Sequence, residues 1–253
     1  MSGDDAERRF GGLRRLYGHA GYNVLRSLRV AVVGLGGVGS WAVEALARSG
    51  VAGLVLIDFD HIAESNINRQ VQALGSTLGQ AKGEALRARI ADIHPGCFVQ
   101  VVDEFATTDN WPALLPGPVD AVIDACDQAA AKRALAAWAL QSAMPFVTVG
   151  AAGGKRDAHK VDADDLGAAT QDPLLASLRQ RLRKEHGAAR NGPTGLRCVF
   201  SRENVAAPAA DECASDGSLN CHGYGSSVMV TATFGMVAAA QAVELAIAQK
   251  IRL

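Results

Sequence analysis

Within seventeen residues the chain carries Asn66, Arg69, Gln70 and Lys82, two amides and two cations. That group suits a polyanion whose charge must be offset while one of its bonds breaks. Hydride transfer would ask only for an acidic residue on a ribose and little positive charge. Farther along, Asp124 and Asp127 set two carboxylates three residues apart, oxygen ligands of the kind that hold Mg2+ together with phosphate oxygens and water. Lys82 as a solvated helix lysine and Asp127 as a helix cap are the plainer alternatives.

These residues need a frame, and the segment before them supplies one. The apolar run at residues 30–33 reads as a buried strand, and Gly34-Leu-Gly36-Gly37-Val-Gly39 then turns the chain into a helix over 38–49 whose amino end suits an anionic phosphate. On that helix Val38, Trp41, Ala45 and Leu46 form one face, with Ser40, Glu44 and Arg48 opposite. Asp58 ends the next strand, where a carboxylate accepts hydrogen bonds from ribose hydroxyls, and Asp60 follows it. A helix over 80–93 carries Lys82 in its first turn, within reach of the phosphates that the glycine turn would cradle. The glycines alone fit a dinucleotide, but with Asn66, Arg69 and Lys82 the charge requirement favours ATP. An NAD-dependent oxidoreductase would leave those three residues without a task.

Strand signals at 98–102, 119–124 and 146–149 alternate with a helix over 129–143. The predicted fold is α/β, a Rossmann-like doubly wound, mainly parallel sheet with a C-terminal insertion and a closing helix, its site candidates lying just beyond the strand ends. All 253 residues form a single domain: a nucleotide-binding core over 30–150, an insertion over 151–225 and a closing helix over 226–250. In the insertion the sheet pattern stops after Gly150, a helix starts near Asp172-Pro173, a short strand covers 198–202, and a mobile loop spans about 204–220. Residues 227–249 are nearly long enough to cross a bilayer but include Gln241 and Glu244. They read as a core or dimer-interface helix, with no stable membrane association.

A net charge of −1, with 49% hydrophobic and 20% charged residues, fits an ordinary globular protein and excludes a globally basic nucleic-acid binder. The first 28 residues carry Arg8, Arg9, Arg14 and Arg15 without an apolar core, so no secretory signal is read there and the cytoplasm is the expected location. Five cysteines with no C-x-x-C pair argue against a disulfide framework and a zinc site.

In order and spacing, Gly34–Gly39, Asp58-Phe-Asp60, Ser65-Asn66-x-x-Arg69-Gln70, Gly79-Gln80-x-Lys82 and Asp124-x-x-Asp127 resemble the ubiquitin-activating-like adenylating enzymes, the group that includes ThiF, MoeB and HesA. The resemblance implies that Gly34, Gly36, Gly37 and Gly39 cradle ATP and that Asp58 holds the ribose. It puts Asn66, Arg69, Gln70 and Lys82 on the phosphates, and Asp127 on Mg2+ with Asp124 as an alternative ligand. Arg69, Lys82 and Asp127 are then the catalytic set for attack of a carboxylate on the α-phosphate, with pyrophosphate released. It also implies a homodimer in which one of Arg8, Arg9, Arg14 or Arg15 reaches the partner's site.

Sulfur-carrier activators of the family usually bear two C-x-x-C pairs, and the large ubiquitin activators add a catalytic-cysteine domain; this chain has neither. Residues 9–18, 170–179, 198–201, 223–225 and 229–235 instead resemble a bacterial tRNA-modifying subgroup. The implied reaction is ATP-driven dehydration: the threonyl carboxylate of threonylcarbamoyladenosine, beside the anticodon, is adenylated and the adjacent carbamoyl group closes on it. No enzyme thioester or zinc is needed. Adenylation of a ubiquitin-like sulfur carrier is the competing reading, and a non-catalytic partner subunit would have lost the ATP ligands. Residues 179–203 hold seven Lys or Arg against two acids, which makes Arg179, Arg181, Arg183 and Lys184 candidates for tRNA, with a solvated helix face as the alternative. The subgroup has a cysteine at the place of Cys221 that would accept sulfur from a cysteine desulfurase partner. A free reduced thiol is the alternative, and cyclisation needs no sulfur.

Overall fold

The apolar runs do become buried strands. In the computed structural model, which describes residues 3–206 and 224–252, β1 (Arg29–Val33), β2 (Gly53–Ile57), β4 (Ala121–Asp124) and β5 (Phe146–Val149) are almost entirely buried. Continuous apolar strands of this kind belong in a parallel sheet covered on both faces. With β3 (Phe98–Val102), β6 (Val161–Asp165) and β7 (Arg197–Ser201) they form one seven-stranded sheet of order β3-β2-β1-β4-β5-β7-β6, parallel except for β6 against β7.

Helices α1 (Gly3–Phe10) and α2 (Gly12–Leu25) precede the sheet, and α3 (Gly39–Arg48), α4 (Lys82–Ile93), α5 (Ala129–Ser142), α6 (Pro173–Glu185) and α7 (Val228–Arg252) cover it. Leu25, Leu46, Leu86 and Phe234, from α2, α3, α4 and α7, pack on one face. Leu135, Leu175 and Leu182, from α5 and α6, pack on the other. Because β1 lies between β2 and β4, the strand order reverses at β1 and β4. That switch point opens a crevice beyond their carboxyl ends, with the amino end of α3 on one side and that of α5 on the other.

Two expectations need correction. Where the loosened pattern after Gly150 predicts the end of the sheet, two more strands extend it. β7 lies parallel to β5, and β6, with sequence Val-Asp-Ala-Asp-Asp, pairs with all five residues of β7. Three aspartates conceal that strand from propensity, since strand formation depends mainly on cross-strand context. Nor do Ser40 and Glu44 of α3 face solvent: Ser40 is 0% and Glu44 4% exposed. The Glu44 carboxylate accepts from Arg89 of α4 at 2.6 Å and from Arg48 at 2.8 Å. Burial alone would raise its pKa, but the two guanidiniums outweigh burial and lower it.

Helix α7 is long and apolar enough to cross a membrane by length and composition, yet Val230, Phe234, Ala238, Ala242 and Ala246 recur every four residues as a buried stripe. At Gly235 a Cβ would lie 2.5 Å from the Val38 carbonyl oxygen and 2.8 Å from the Ala42 nitrogen. Helices α3 and α7 therefore meet backbone to backbone, and the core placement expected for this helix holds.

Candidate active site

The turn after β1 is built by close approach. Gly34 has φ +86, and a Cβ there would lie 2.9 Å from the Ala125 carbonyl and the Cys126 nitrogen; a Cβ on Gly39 would lie 1.8 Å from the Gly34 oxygen. Only glycine allows the turn to press against the end of β4 and fold under itself. Around Gly36 the space is open, whereas a Cβ on Gly37 would lie 3.1 Å from Arg69 Cγ. Helix α3 has no side-chain cap; the Ser40 N–H is taken by the Gly36 carbonyl at 3.1 Å, and the positive end of the helix at the crevice suits an anionic phosphate.

Asp58, 8% exposed, accepts the Leu35 N–H at 2.6 Å and the Asp60 N–H at 2.8 Å. Burial raises its pKa against the opposing pull of Lys82. The carboxylate expected to hold a ribose thus also fixes the glycine turn. Sequence reasoning missed its counterpart: Gln72, 2% exposed, donates to the Leu35 carbonyl at 3.0 Å and to Gln70 Oε1 at 3.1 Å. Both polar groups of the Leu35 backbone are therefore held by side chains. An exposed-looking glutamine two residues beyond an Arg-Gln pair gives no sequence signal of this.

Lys82 stands in the first turn of α4, 5% exposed, with Nζ 2.7 Å from Asp60 Oδ2. Backbone hydrogen bonds Lys82 N–Asp60 O, Ile62 N–Gln80 O and Gly79 N–Ile62 O hold the two segments together. Asn66, 3% exposed, uses Oδ1 to accept the Ala63 N–H at 3.1 Å, so part of its capacity goes to shaping the turn that leads to Arg69. The Arg69 guanidinium donates to Ser65 O at 2.7 Å and Asn68 Oδ1 at 3.0 Å, and Trp41 Nε1 donates to the Arg69 carbonyl at 2.9 Å. Asn68 also donates to Ser226 O at 3.0 Å, joining this segment to the chain entering α7. Gly34–Gly39, Asp58, Asp60, Gln70, Lys82 and Arg69 are thus linked through direct contacts.

The two carboxylates at the end of β4 separate. Asp127 is exposed. Asp124 is sealed at 0% exposure, accepting from Lys132 Nζ at 2.8 Å and Thr148 Oγ1 at 2.7 Å. Its engagement leaves Asp127 as the exposed carboxylate of the two. Lys132, also at 0%, reaches Thr148 and the Val149 carbonyl as well. Burial would depress its pKa, but Asp124 and further partners hold it above its usual value. Sequence reading passed over Lys132, one lysine in an alanine-rich helix.

Burial raises the pKa of Cys97 to about 11, of Cys198 to about 12, and of Cys126, beside Asp124, well above its usual value. Burial thus disfavours the thiolate at each cysteine among the described residues, and no group of three or more His, Cys, Asp or Glu among them is arranged to hold a metal. A single carboxylate such as Asp127 nevertheless fits Mg2+, which takes one or two carboxylates plus phosphate oxygens.

The basic stretch divides between cations that brace the chain and cations left at the surface. Arg179 donates to the Leu166 and Ala169 carbonyls at 3.2 and 2.8 Å, Arg183 to Ala189 O at 2.9 Å, and Arg181 pairs with Glu185 at 2.8 Å; Lys184 is exposed. At the amino end Arg8 pairs with Asp5, Arg14 with Glu7, and Arg9 caps the Ile93 and Asp92 carbonyls, while Arg15 is exposed. Cys221 and residues 207–220 of the expected mobile loop lie outside the described residues. Both flanks of that stretch meet at Gly154, through Ala206 N–Gly154 O and Gly154 N–Gly225 O, each 2.9 Å.

The ThiF family pattern matches residues 10–250. The chain belongs to the ThiF family. Similarity within that family is strong over nearly the full length: the chain is 42% identical to the tRNA threonylcarbamoyladenosine dehydratase of Escherichia coli (strain K12) over 98% of this chain and 97% of that one. The Haemophilus influenzae tRNA threonylcarbamoyladenosine dehydratase is 39% identical, with 98% and 96% covered. A crystal structure of the E. coli enzyme, TcdA, in complex with ATP superposes with a TM-score of 0.88, covering 97% of this chain and 96% of that one. The fold of this ThiF-family chain, including the two strands beyond residue 150, is thus that of a nucleotide-binding relative.

Proposed function

We propose that this ThiF-family protein is an ATP-dependent dehydratase of tRNA threonylcarbamoyladenosine. The observation that carries the reading is that 42% identity to the E. coli enzyme of that name runs over 98% of the chain. The likeness therefore includes the insertion and closing helix, not the nucleotide core alone. A threonyl carboxylate oxygen attacks the α-phosphorus of ATP, the bond to the bridging β-phosphate oxygen breaks, and pyrophosphate departs. A nucleophilic atom of the neighbouring carbamoyl group then attacks the acyl carbon and loses its proton while AMP leaves. The net change is loss of one water, and the proximity of the two groups supplies the second step without an enzyme nucleophile.

Each residue has one task in this scheme. The turn Gly34–Gly39 and the amino end of α3 cradle the phosphates, and Asp58 accepts from the ribose. Asn66 and Gln70 line the phosphate path. Arg69 and Lys82 offset the charge that grows on the phosphates, with Asp60 holding Lys82 extended. Asp127 would hold Mg2+, which supplies further charge stabilisation. The protein acts as a single domain and a homodimer in the cytoplasm. Arg15, exposed as Arg8 and Arg9 are but, unlike them and Arg14, hydrogen-bonded to no other described residue, is the candidate for reaching the partner's site.

Incubation with ATP, Mg2+ and threonylcarbamoylated tRNA, followed by mass spectrometry of the nucleosides, tests the reading. Loss of one water from the modified nucleoside is expected. Pyrophosphate exchange that depends on a small carrier protein and ignores tRNA would replace it with the sulfur-carrier reaction.

A further inference from the structure

Helices α5 and α6 enclose a cleft of about 270 Å3 on the face of the sheet opposite α3, lined among others by Ala129, Ala130, Arg133, Leu174, Ser177 and Arg181. Its volume is near the lower end of ligand clefts, about 300 Å3. No acid lines it. Its wall at Ala129 lies two residues beyond Asp127, so the cleft adjoins the crevice where the carboxylate would be activated. Leucine and alanine supply apolar surface and Arg133 and Arg181 the charge; Lys132 also lines the cleft, but its ammonium is held by Asp124. Glu185, one turn beyond Arg181 on α6, holds that guanidinium at 2.8 Å.

Resting on the reaction proposed above, we infer that this cleft holds the nucleotide adjoining the modified adenosine in the anticodon loop. Its base lies on the apolar wall, and Arg133 and Arg181 engage its phosphates. Single-stranded RNA loops are recognised through splayed bases stacked on aromatic rings or guanidinium planes and through cations on the backbone; no aromatic residue lines this cleft, so its two arginines carry the recognition. The assignment differs from a basic face along α6: Arg179 and Arg183 brace the insertion's own loops, and only Arg181 of that set lines the cleft.

Steady-state kinetics of the full chain with ATP, Mg2+ and threonylcarbamoylated tRNA test it, using Arg133→Ala, Arg181→Ala and the double variant at several salt concentrations. The expected result is a raised KM for tRNA, an unchanged KM for ATP, and a log–log salt slope reduced by about 0.7 for each lost phosphate contact. Glu185→Gln, which frees Arg181, should lower the KM for tRNA. Folding is checked by thermal melting, and a variant that misfolds is replaced by Arg133→Gln or Arg181→Gln. Parental KM and slope in folded variants would overturn the cleft while leaving the reaction standing. Failure of the parent chain to turn over tRNA at any salt concentration would remove both.

Discussion

Two lysine–aspartate pairs stand at the carboxyl edge of the sheet with nearly the same geometry, Lys82–Asp60 at 2.7 Å and Lys132–Asp124 at 2.8 Å. Access separates them. The Lys82 side chain is 7% exposed but that of its partner Asp60 is 51% exposed, so the pair opens to the crevice, whereas Lys132 and Asp124 are both at 0%. A charge that a ligand can approach offsets charge developing on that ligand. A sealed charge, desolvated at a cost of several kcal/mol per ion, fixes the backbone around it, here the ends of β4 and β5 and the turn that presents Asp127. Ion-pair distance alone would have assigned both pairs the same role.

Removing one partner of each pair breaks the comparison most sharply. Lys132→Met strands the Asp124 carboxylate and should cost roughly 3–5 kcal/mol in denaturant unfolding, with Lys132→Met/Asp124→Leu recovering much of it. Lys82→Met should cost about 1 kcal/mol or less in stability, as for partly exposed pairs, while kcat falls by on the order of 10²–10³. Equal losses of stability in the two single variants would end the distinction. Gln72→Leu leaves the Leu35 carbonyl without its donor, so a loss of about 1–3 kcal/mol is expected. It should come with a raised KM for ATP and an unchanged KM for tRNA.

The pair of Glu44 with Arg89 and Arg48 falls between the two extremes and sharpens the comparison by pH. Its folded-state pKa lies below the ordinary 4.5, so its contribution is complete above about that pH and is lost as pH falls through the lowered value. Glu44→Gln should therefore flatten the acid limb of the stability profile, and an unaltered limb would show that the pair contributes nothing there.

Much of this was legible in the chain. The strands at 30–33, 98–102 and 146–149 and the glycine turn were readable because parallel strands are largely apolar runs and because backbone pressed as closely as at Gly34 and Gly39 admits no Cβ. Strand β6 was hidden by Asp162, Asp164 and Asp165, whose places depend on pairing with β7 and, for Asp165, on hydrogen bonds from Gly167, Thr194 and Gly195. Lys132 and Gln72 were hidden because burial of a polar side chain depends on distant segments closing over it. The carbonyl contacts of Arg179 and Arg183 were hidden for the same reason: spacing shows where a cation is in the chain, not what it meets.

In the proposed reaction a carboxylate oxygen of the substrate attacks the α-phosphate of ATP. Threonylcarbamoylated tRNA labelled with 18O in both threonyl carboxylate oxygens, turned over with unlabelled ATP, tests it directly. One labelled oxygen should appear in AMP and one should remain in the cyclised nucleoside. Label in pyrophosphate or in free water, with AMP unlabelled, would contradict it.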